Sequence, residues 1–164
     1  MKTGKMGLWV TLIGTLCLAA SGASAASKSM SGFVGHWELD AAQSTFTGRP
    51  ALKSAKVVIT AVKGGSKLSG DYVGADGNTT HVEYAGPADG SDVAVTGSPA
   101  YDSVTMLVPD SHTVIRTERR AGKVVGVTTA TLAKDGKSFT ASGRGTMPDG
   151  HQYTTTTYWK RVKK

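Results

Sequence analysis

Residues 123–143 read KVVGVTTATLAKDGKSFTASG, two runs rich in Val, Thr and Ser on either side of the pair Asp135-Gly136. Branched Cβ atoms favour extended strands, and a tight two-residue turn needs positive φ, which Gly adopts freely. The stretch therefore predicts an antiparallel β-hairpin. Further Asp-Gly pairs stand at Asp76-Gly77, Asp89-Gly90 and Asp149-Gly150, so the same reasoning predicts a train of hairpins.

Weaker breaks at Gly64-Gly65, Pro109-Asp110-Ser111 and Ala121-Gly122 fill the intervals between these pairs. Turns then recur about every dozen residues, as in an all-β sandwich or an up-and-down barrel. About ten strands are predicted: Phe33 to Asp40, Lys56 to Val62, Lys67 to Val73, Thr79 to Ala85, Asp92 to Thr96, Ser103 to Val108, Thr113 to Arg119, Lys123 to Ala133, Ser138 to Gly143 and Gln152 to Lys160.

The expected fold class is all-β, an antiparallel up-and-down meander of about eight to ten strands with at most one or two short helical turns. One such turn is expected at residues 40–44, where an Asp could cap helical spacing. Closure into a barrel is favoured because it removes the two unpaired sheet edges that invite aggregation.

The N-terminus carries two lysines, then an apolar stretch at residues 6–20, then small residues at 21–25. This order is typical of a secretory signal peptide, and the apolar stretch is shorter than the roughly 20 residues of a membrane-spanning helix. We expect residues 1–25 to be cleaved, residues 26–32 to form a short flexible lead, and residues 33–162 to form a single domain. The expected location is periplasmic or secreted.

The charge of the chain, +7, gives no support to a nucleic-acid partner. The predicted leader carries two of the 19 basic residues, and four more, Lys160, Arg161, Lys163 and Lys164, lie at the C-terminus. The remaining 13 basic residues balance the 12 acidic ones, so there is no basic groove for phosphates. The one cysteine, Cys17, lies in the leader, so the mature domain is expected to lack disulfides and any integral membrane segment. The sequence indicates no particular oligomeric state.

The triplet Gly35-His36-Trp37 near the start and the run Tyr158-Trp159-Lys160-Arg161 near the end resemble the two signature segments of the calycin superfamily, which includes lipocalins and fatty-acid-binding proteins. In that superfamily the Gly-x-Trp lies at the closed end of the barrel, and a basic residue from the last strand covers the indole. The resemblance implies that Gly35 and Trp37 form the barrel floor. It also implies that Arg161 lies over the Trp37 ring in a cation–π contact.

A wider resemblance connects the chain to small exported bacterial proteins described as lipocalin-like, a group without an assigned activity. The likeness extends over residues 33–161 and rests on five stretches: 35–40, 44–46, 92–99, 122–125 and 134–137. It implies a lipocalin-like or fatty-acid-binding-protein-like barrel and leaves the function open. The absence of a possible disulfide sets the chain apart from true lipocalins.

Arg116, Glu118 and Arg120 share one face of a predicted strand, because alternate side chains of a strand point the same way. Pointing inward, they would form an anion site for a carboxylate head group; a charged outer face is the more usual meaning of such a run. Small residues on both faces of residues 123–133 indicate either a partly polar cavity that side chains do not fill or a strand with one face in water. Arg116 and Tyr153 are the predicted ligand contacts.

Two His-x-Glu units, His36-x-Glu38 and His81-x-Glu83, would suit a divalent metal if their strands met. Their neighbours on the opposite face are apolar, which favours solvent-facing cross-strand pairs instead. His151 would be the ligand if the barrel held haem. No metal and no cofactor are expected. Catalysis is not expected either, because the mature chain has no thiol and no Gly-x-Ser-x-Gly elbow.

The predicted function is that of an exported β-barrel protein that binds a small hydrophobic or amphipathic ligand without catalysis. The alternative is an envelope structural or stress protein with a filled barrel that acts through its surface. A metal- or haem-binding barrel is the third hypothesis.

Overall fold

The structure, a computed structural model, describes residues 29–163. Within that range it contains ten strands and, apart from one 3₁₀ turn at Ser31–Phe33, no helix. The strands are β1 (Gly35–Thr47), β2 (Leu52–Val62), β3 (Gly65–Gly74), β4 (Thr79–Gly86), β5 (Asp89–Ala94), β6 (Ser103–Asp110), β7 (Thr113–Arg120), β8 (Lys123–Leu132), β9 (Ser138–Thr146) and β10 (Gln152–Val162). The all-β prediction and the number of strands are confirmed.

All ten strands form one antiparallel sheet in the order β4-β3-β2-β1-β10-β9-β8-β7-β6-β5. Because β1 pairs with both β2 and β10, the first and last strands lie side by side. The two ends of the order, β4 and β5, are joined by a bridge between Glu83 of β4 and Thr96, two residues beyond β5, whose backbone hydrogen bonds measure 3.0 and 2.9 Å. The meander is therefore a nearly closed barrel with a seam between β4 and β5.

Three of the four Asp-Gly pairs lie in hairpin turns, and the prediction of a hairpin at Asp89-Gly90 is wrong. This pair begins β5, and Gly90 takes a φ of +91° where the register against β6 shifts. Its positive φ shapes a bulge in β5, and the chain crosses the seam just before it. Pro87, which lacks a backbone N–H, stands in that crossing.

The helical turn predicted at residues 40–44 is also wrong, because β1 continues through it with a bulge. The register against β10 shifts between Asp40 and Thr45. Within the bulge, Gln43 donates its backbone N–H to the Asp40 carboxylate, and the Ser44 hydroxyl donates to the Asp40 carbonyl. An Asp side chain that satisfies nearby backbone donors serves a bulge as well as a helix cap, and the local pattern does not separate the two.

One end of the barrel is closed by Trp37, which is 1% exposed and donates its indole N–H to the Phe33 carbonyl at 2.8 Å. The Arg161 guanidinium lies over the indole, 4.2 Å from the ring centre. It also donates hydrogen bonds to three backbone carbonyls, those of Gly32, Val34 and Gly136. Gly35 has a φ of +148°, and a Cβ there would overlap the guanidinium.

Aromatic rings fill the space above this cation. Phe139 packs edge-on against Trp37 at 4.7 Å and Phe33 at 5.7 Å, and stacks on Trp159 at 5.6 Å between ring centres. Such pairs stabilise a core beyond the area they bury. We refer to Phe33, Trp37, Phe139 and Trp159 as the aromatic floor.

The predicted leader, residues 1–25, lies outside the described residues. Of the predicted flexible lead, residues 29–32 are described, and there Met30 packs against the core just before the 3₁₀ turn. The described part of the chain contains no helix with the length and hydropathy needed to cross a membrane.

The contacts of Arg161 predict a large stability effect for Arg161→Ala. The substitution removes a charged donor from three carbonyls and uncovers the indole, so we expect the free energy of unfolding to fall by about 2–4 kcal/mol in urea denaturation. The control Arg144→Ala lies exposed on the outer face of β9 and should change it by no more than about 0.5 kcal/mol. Similar losses for the two variants would refute this role of Arg161.

Candidate functional site

Above the aromatic floor, the barrel encloses a cavity of about 700 Å³. Apolar side chains supply most of its lining, among them Val57, Ile59, Leu68, Met106 and Val114. The cavity extends to the end of the barrel opposite Trp37. We call that end the mouth; the connections at residues 48–51, 75–78, 98–101 and 146–148 line it.

The cavity exists because the inward side chains of β8, β9 and β10 are smaller above the floor, so that the inner wall recedes there. Its four cross-strand rows, from the floor to the mouth, are Leu132-Phe139-Trp159, Ala130-Ala141-Thr157, Thr128-Gly143-Thr155 and Gly126-Gly145-Tyr153. Only the first row consists entirely of large side chains. Gly126, Thr128 and Ala130 thus face the interior, as expected for a barrel whose side chains do not fill it.

The polar part of the wall is a buried ion pair. Glu118 is 5% exposed, and both Nε and Nη2 of Arg116 donate to its Oε1 atom, at 3.2 and 2.6 Å. Thr128 donates to Oε1 at 3.4 Å, and Tyr153 donates to Oε2 at 3.3 Å. Arg116 Nη1 donates in turn to the Tyr84 hydroxyl at 3.2 Å. Of the two orientations open for this charged strand face, the structure has the inward one.

Two glycines make the contact between Glu118 and Tyr153 possible. Across the sheet Glu118 pairs with Gly126, Gly126 with Gly145, and Gly145 with Tyr153. The outer two residues stand three strand spacings apart, about 14 Å, and their side chains meet over the glycines. A Cβ at Gly126 or Gly145 would lie 2.7 or 2.8 Å from the Tyr153 hydroxyl, closer than atoms can pack.

Three phenols near the pair, those of Tyr72, Tyr101 and Tyr153, remain protonated at neutral pH. Burial raises the pKa of Tyr101 to about 12 and also raises the pKa of Tyr72. Burial, followed by the negative charge of Glu118, raises the pKa of Tyr153. Burial alone would lower the pKa of Arg116, but the surrounding tyrosines and Glu118 outweigh it and raise that pKa. The site therefore combines a compensated ion pair with neutral hydroxyl groups.

Both predicted ligand contacts line this cavity. Arg116 is 22% exposed at its side chain and already has a counter-charge, while the Tyr153 hydroxyl is directed at Glu118. Arg120, predicted on the same strand face as Arg116 and Glu118, lies at the end of β7 and donates to the carbonyl of Pro99. The structure thus brings Arg116 and Tyr153 together through Glu118.

The His-x-Glu units lie on the outer face of the barrel in cross-strand pairs. Glu38 pairs with Lys56 at 3.3 Å, and Glu83 with Lys67 at 2.9 Å. His81 contacts Asp71 at 2.6 Å. Over residues 29–163 no three His, Cys, Asp or Glu side chains stand close enough to hold a metal ion. His151 is exposed in the β9–β10 turn, 3.0 Å from Asp149.

Comparison with solved structures adds a likeness of fold. No protein-family model matches the chain, nor does any curated protein. The crystal structure of zebrafish ileal bile acid-binding protein complexed with cholic acid is similar, with a TM-score of 0.49. The likeness covers 80% of this chain and 99% of that one, at 10% sequence identity. At this identity it concerns the course of the backbone.

Three residues that line the cavity, Tyr84, Tyr101 and Arg49, are not among the site residues predicted from the sequence. The period of the strand places Tyr84 inside with Val82, but it does not distinguish a core side chain from a ligand contact. Tyr101 and Arg49 lie in loops, where no periodicity shows the direction of a side chain. The Arg49 guanidinium lies over the Tyr153 ring, 5.0 Å from its centre.

The ion pair predicts strong coupling between its two members. Glu118→Leu leaves the Arg116 cation largely buried without a counter-charge, which we expect to cost about 3 kcal/mol of unfolding free energy. Arg116→Met in the same chain removes that charge and should recover most of the loss. Urea denaturation of the wild type, both single variants and the double variant measures the coupling, and additive effects would contradict a direct pair.

Proposed function

We propose that the protein binds one small hydrophobic or amphipathic molecule inside its barrel. The observation that carries this proposal is the cavity of about 700 Å³, which falls in the range of roughly 300–1,000 Å³ typical of small-molecule sites. Its lining is mainly apolar, with a few polar groups that converge in one region. That combination is the usual composition of such a site.

The receding wall argues against a barrel built only for stability. A filled interior would place large side chains where this chain has Thr128 and Ala130, and each void of methyl size costs about 1 kcal/mol. A protein that acted only through its outer surface would have no use for that cost. The second candidate, a filled structural barrel, is therefore the weaker one.

The cavity offers two kinds of environment to a ligand. The aromatic floor and its apolar neighbours suit a hydrocarbon or ring body, which gains by leaving water. The pair of Arg116 and Glu118, with Tyr153 beside it, carries no net charge. Arg116 has five N–H groups, and its contacts with Glu118 and Tyr84 use three of them. We propose that it contacts a neutral polar group, such as a hydroxyl or carbonyl. No catalytic step is part of this function.

Export belongs to the proposal through residues 1–25, whose lysines, apolar stretch and small residues are typical of a cleaved leader. In its own cells we expect the mature protein to begin at Ala26 and to lie in the periplasm or outside the cell. Intact mass measurement of the purified protein checks the N-terminus. Protein that retains Met1 and stays in the cytoplasm would contradict export.

A cavity-filling substitution tests binding. Ala130→Phe puts a ring into the cavity from β8, so we expect the affinity for a fluorescent fatty-acid probe to fall at least about tenfold. The control Thr131→Phe adds the same ring on the exposed outer face of that strand and should change the affinity by less than about twofold. Urea denaturation verifies that the variants fold. If Ala130→Phe does not fold, Thr155→Leu fills the same cavity with a smaller change in side-chain volume.

Two results would count against the proposal. One is a wild-type protein that does not bind the probe, and the other is an equal effect of the inner and outer substitutions.

A further inference from the structure

The charged side chains that line the cavity do not all have a counter-charge. They are Arg49, Asp76, Arg116 and Glu118. Arg116 and Glu118 compensate each other at 2.6 Å. Asp76 is directed into its own turn, where its carboxylate accepts from the backbone N–H and the side-chain amide of Asn78, at 3.0 and 2.6 Å. Arg49 is the remaining charge.

Arg49 is half-buried at the mouth, and no carboxylate of the described residues lies within ion-pair distance of it. Its Nε atom is buried and has no hydrogen-bond partner. Arg119 also has a buried Nε without a hydrogen bond, but the carboxylate of Asp92 lies 3.3 Å from it. Among residues 29–163, then, Arg49 alone combines a buried unsatisfied guanidinium nitrogen with the absence of any nearby acid.

The backbone holds Arg49 in this position. Gly48 has a φ of +73°, and a Cβ there would overlap the Gln152 carbonyl and lie 3.2 Å from the Tyr153 Cα. Glycine therefore lets the connection between β1 and β2 pack directly on β10. Pro50 follows and restricts Arg49 to an extended conformation. The guanidinium then rests on the Tyr153 ring, so its orientation is set before any ligand arrives.

We propose that Arg49 binds the anionic head group of an amphipathic ligand whose apolar body lies in the cavity below. This inference rests on the proposed function and adds the charge and direction of the ligand. A guanidinium at the rim of an apolar cavity binds carboxylate, sulfate or phosphate oxygens by charge-assisted hydrogen bonds. From Arg49 towards the floor, the lining changes from a cation to a polar pair without net charge and then to apolar side chains. That order fits a molecule with one anionic end.

Two twelve-carbon probes that differ only in the head group test this assignment. Dodecanoate carries a carboxylate and 1-dodecanol carries a hydroxyl. The affinity of each is measured by competition with a fluorescent probe. We expect Arg49→Gln to weaken dodecanoate binding about tenfold or more, because a charge-assisted contact is lost, and dodecanol binding by less than about twofold. Arg49→Lys keeps the charge without the planar fork and should retain part of the affinity for dodecanoate.

The control Arg144→Gln removes an exposed arginine from the outer face of β9 and should leave both affinities unchanged. Equal losses for the two probes, or an unchanged affinity for dodecanoate, would overturn the role of Arg49 and leave binding in the cavity intact. Failure of both probes to bind the wild-type protein would instead contradict the proposed function, and the role of Arg49 with it.

Discussion

The Glu118 carboxylate is buried against the Arg116 guanidinium, and the inner wall of the barrel depends on that ion pair. Taking charges out of water costs several kcal/mol for each ion unless both are paired and hydrogen-bonded. The remaining oxygen of Glu118 is satisfied by Tyr153, which reaches it only because Gly126 and Gly145 have no side chains. The requirement of one polar group therefore keeps two neighbouring strands free of side chains at this level, and the Glu118 and Tyr153 side chains that meet over the glycines form part of the cavity lining.

Two buried clusters stabilise the barrel, and residues of both also line the cavity. The aromatic floor and the cation over Trp37 close one end. A second buried cluster, Val82, Tyr84, Val93, Val104 and Met106, packs next to the seam between β4 and β5, where backbone pairing is nearly absent. These two clusters hold the sheet together without filling the space below the mouth. Arg116, Glu118 and Arg49 belong to neither cluster, so they can contact a ligand with little loss of core packing.

The sequence predicts local features of this fold better than distant ones. Hairpin turns and alternation along a strand depend on neighbouring residues, so ten strands could be placed from the chain alone. The hairpin prediction at Asp89-Gly90 is wrong because an Asp-Gly pair indicates only a positive φ, which a bulge needs as much as a hairpin does. The inward direction of Glu118 depends on Tyr153, which lies three strands away. Arg49 lies in a loop, where no periodicity indicates the direction of its side chain. Those contacts required the assembled barrel.

The central claim is that the barrel exists to hold a small molecule. Native mass spectrometry of the protein purified from its own cells, before and after extraction with organic solvent, tests it most directly. The account predicts an added mass at a ratio of one per chain, released by the solvent as an amphipathic compound with an anionic end. Protein that carries only its own mass, under conditions that preserve weak complexes, would contradict it.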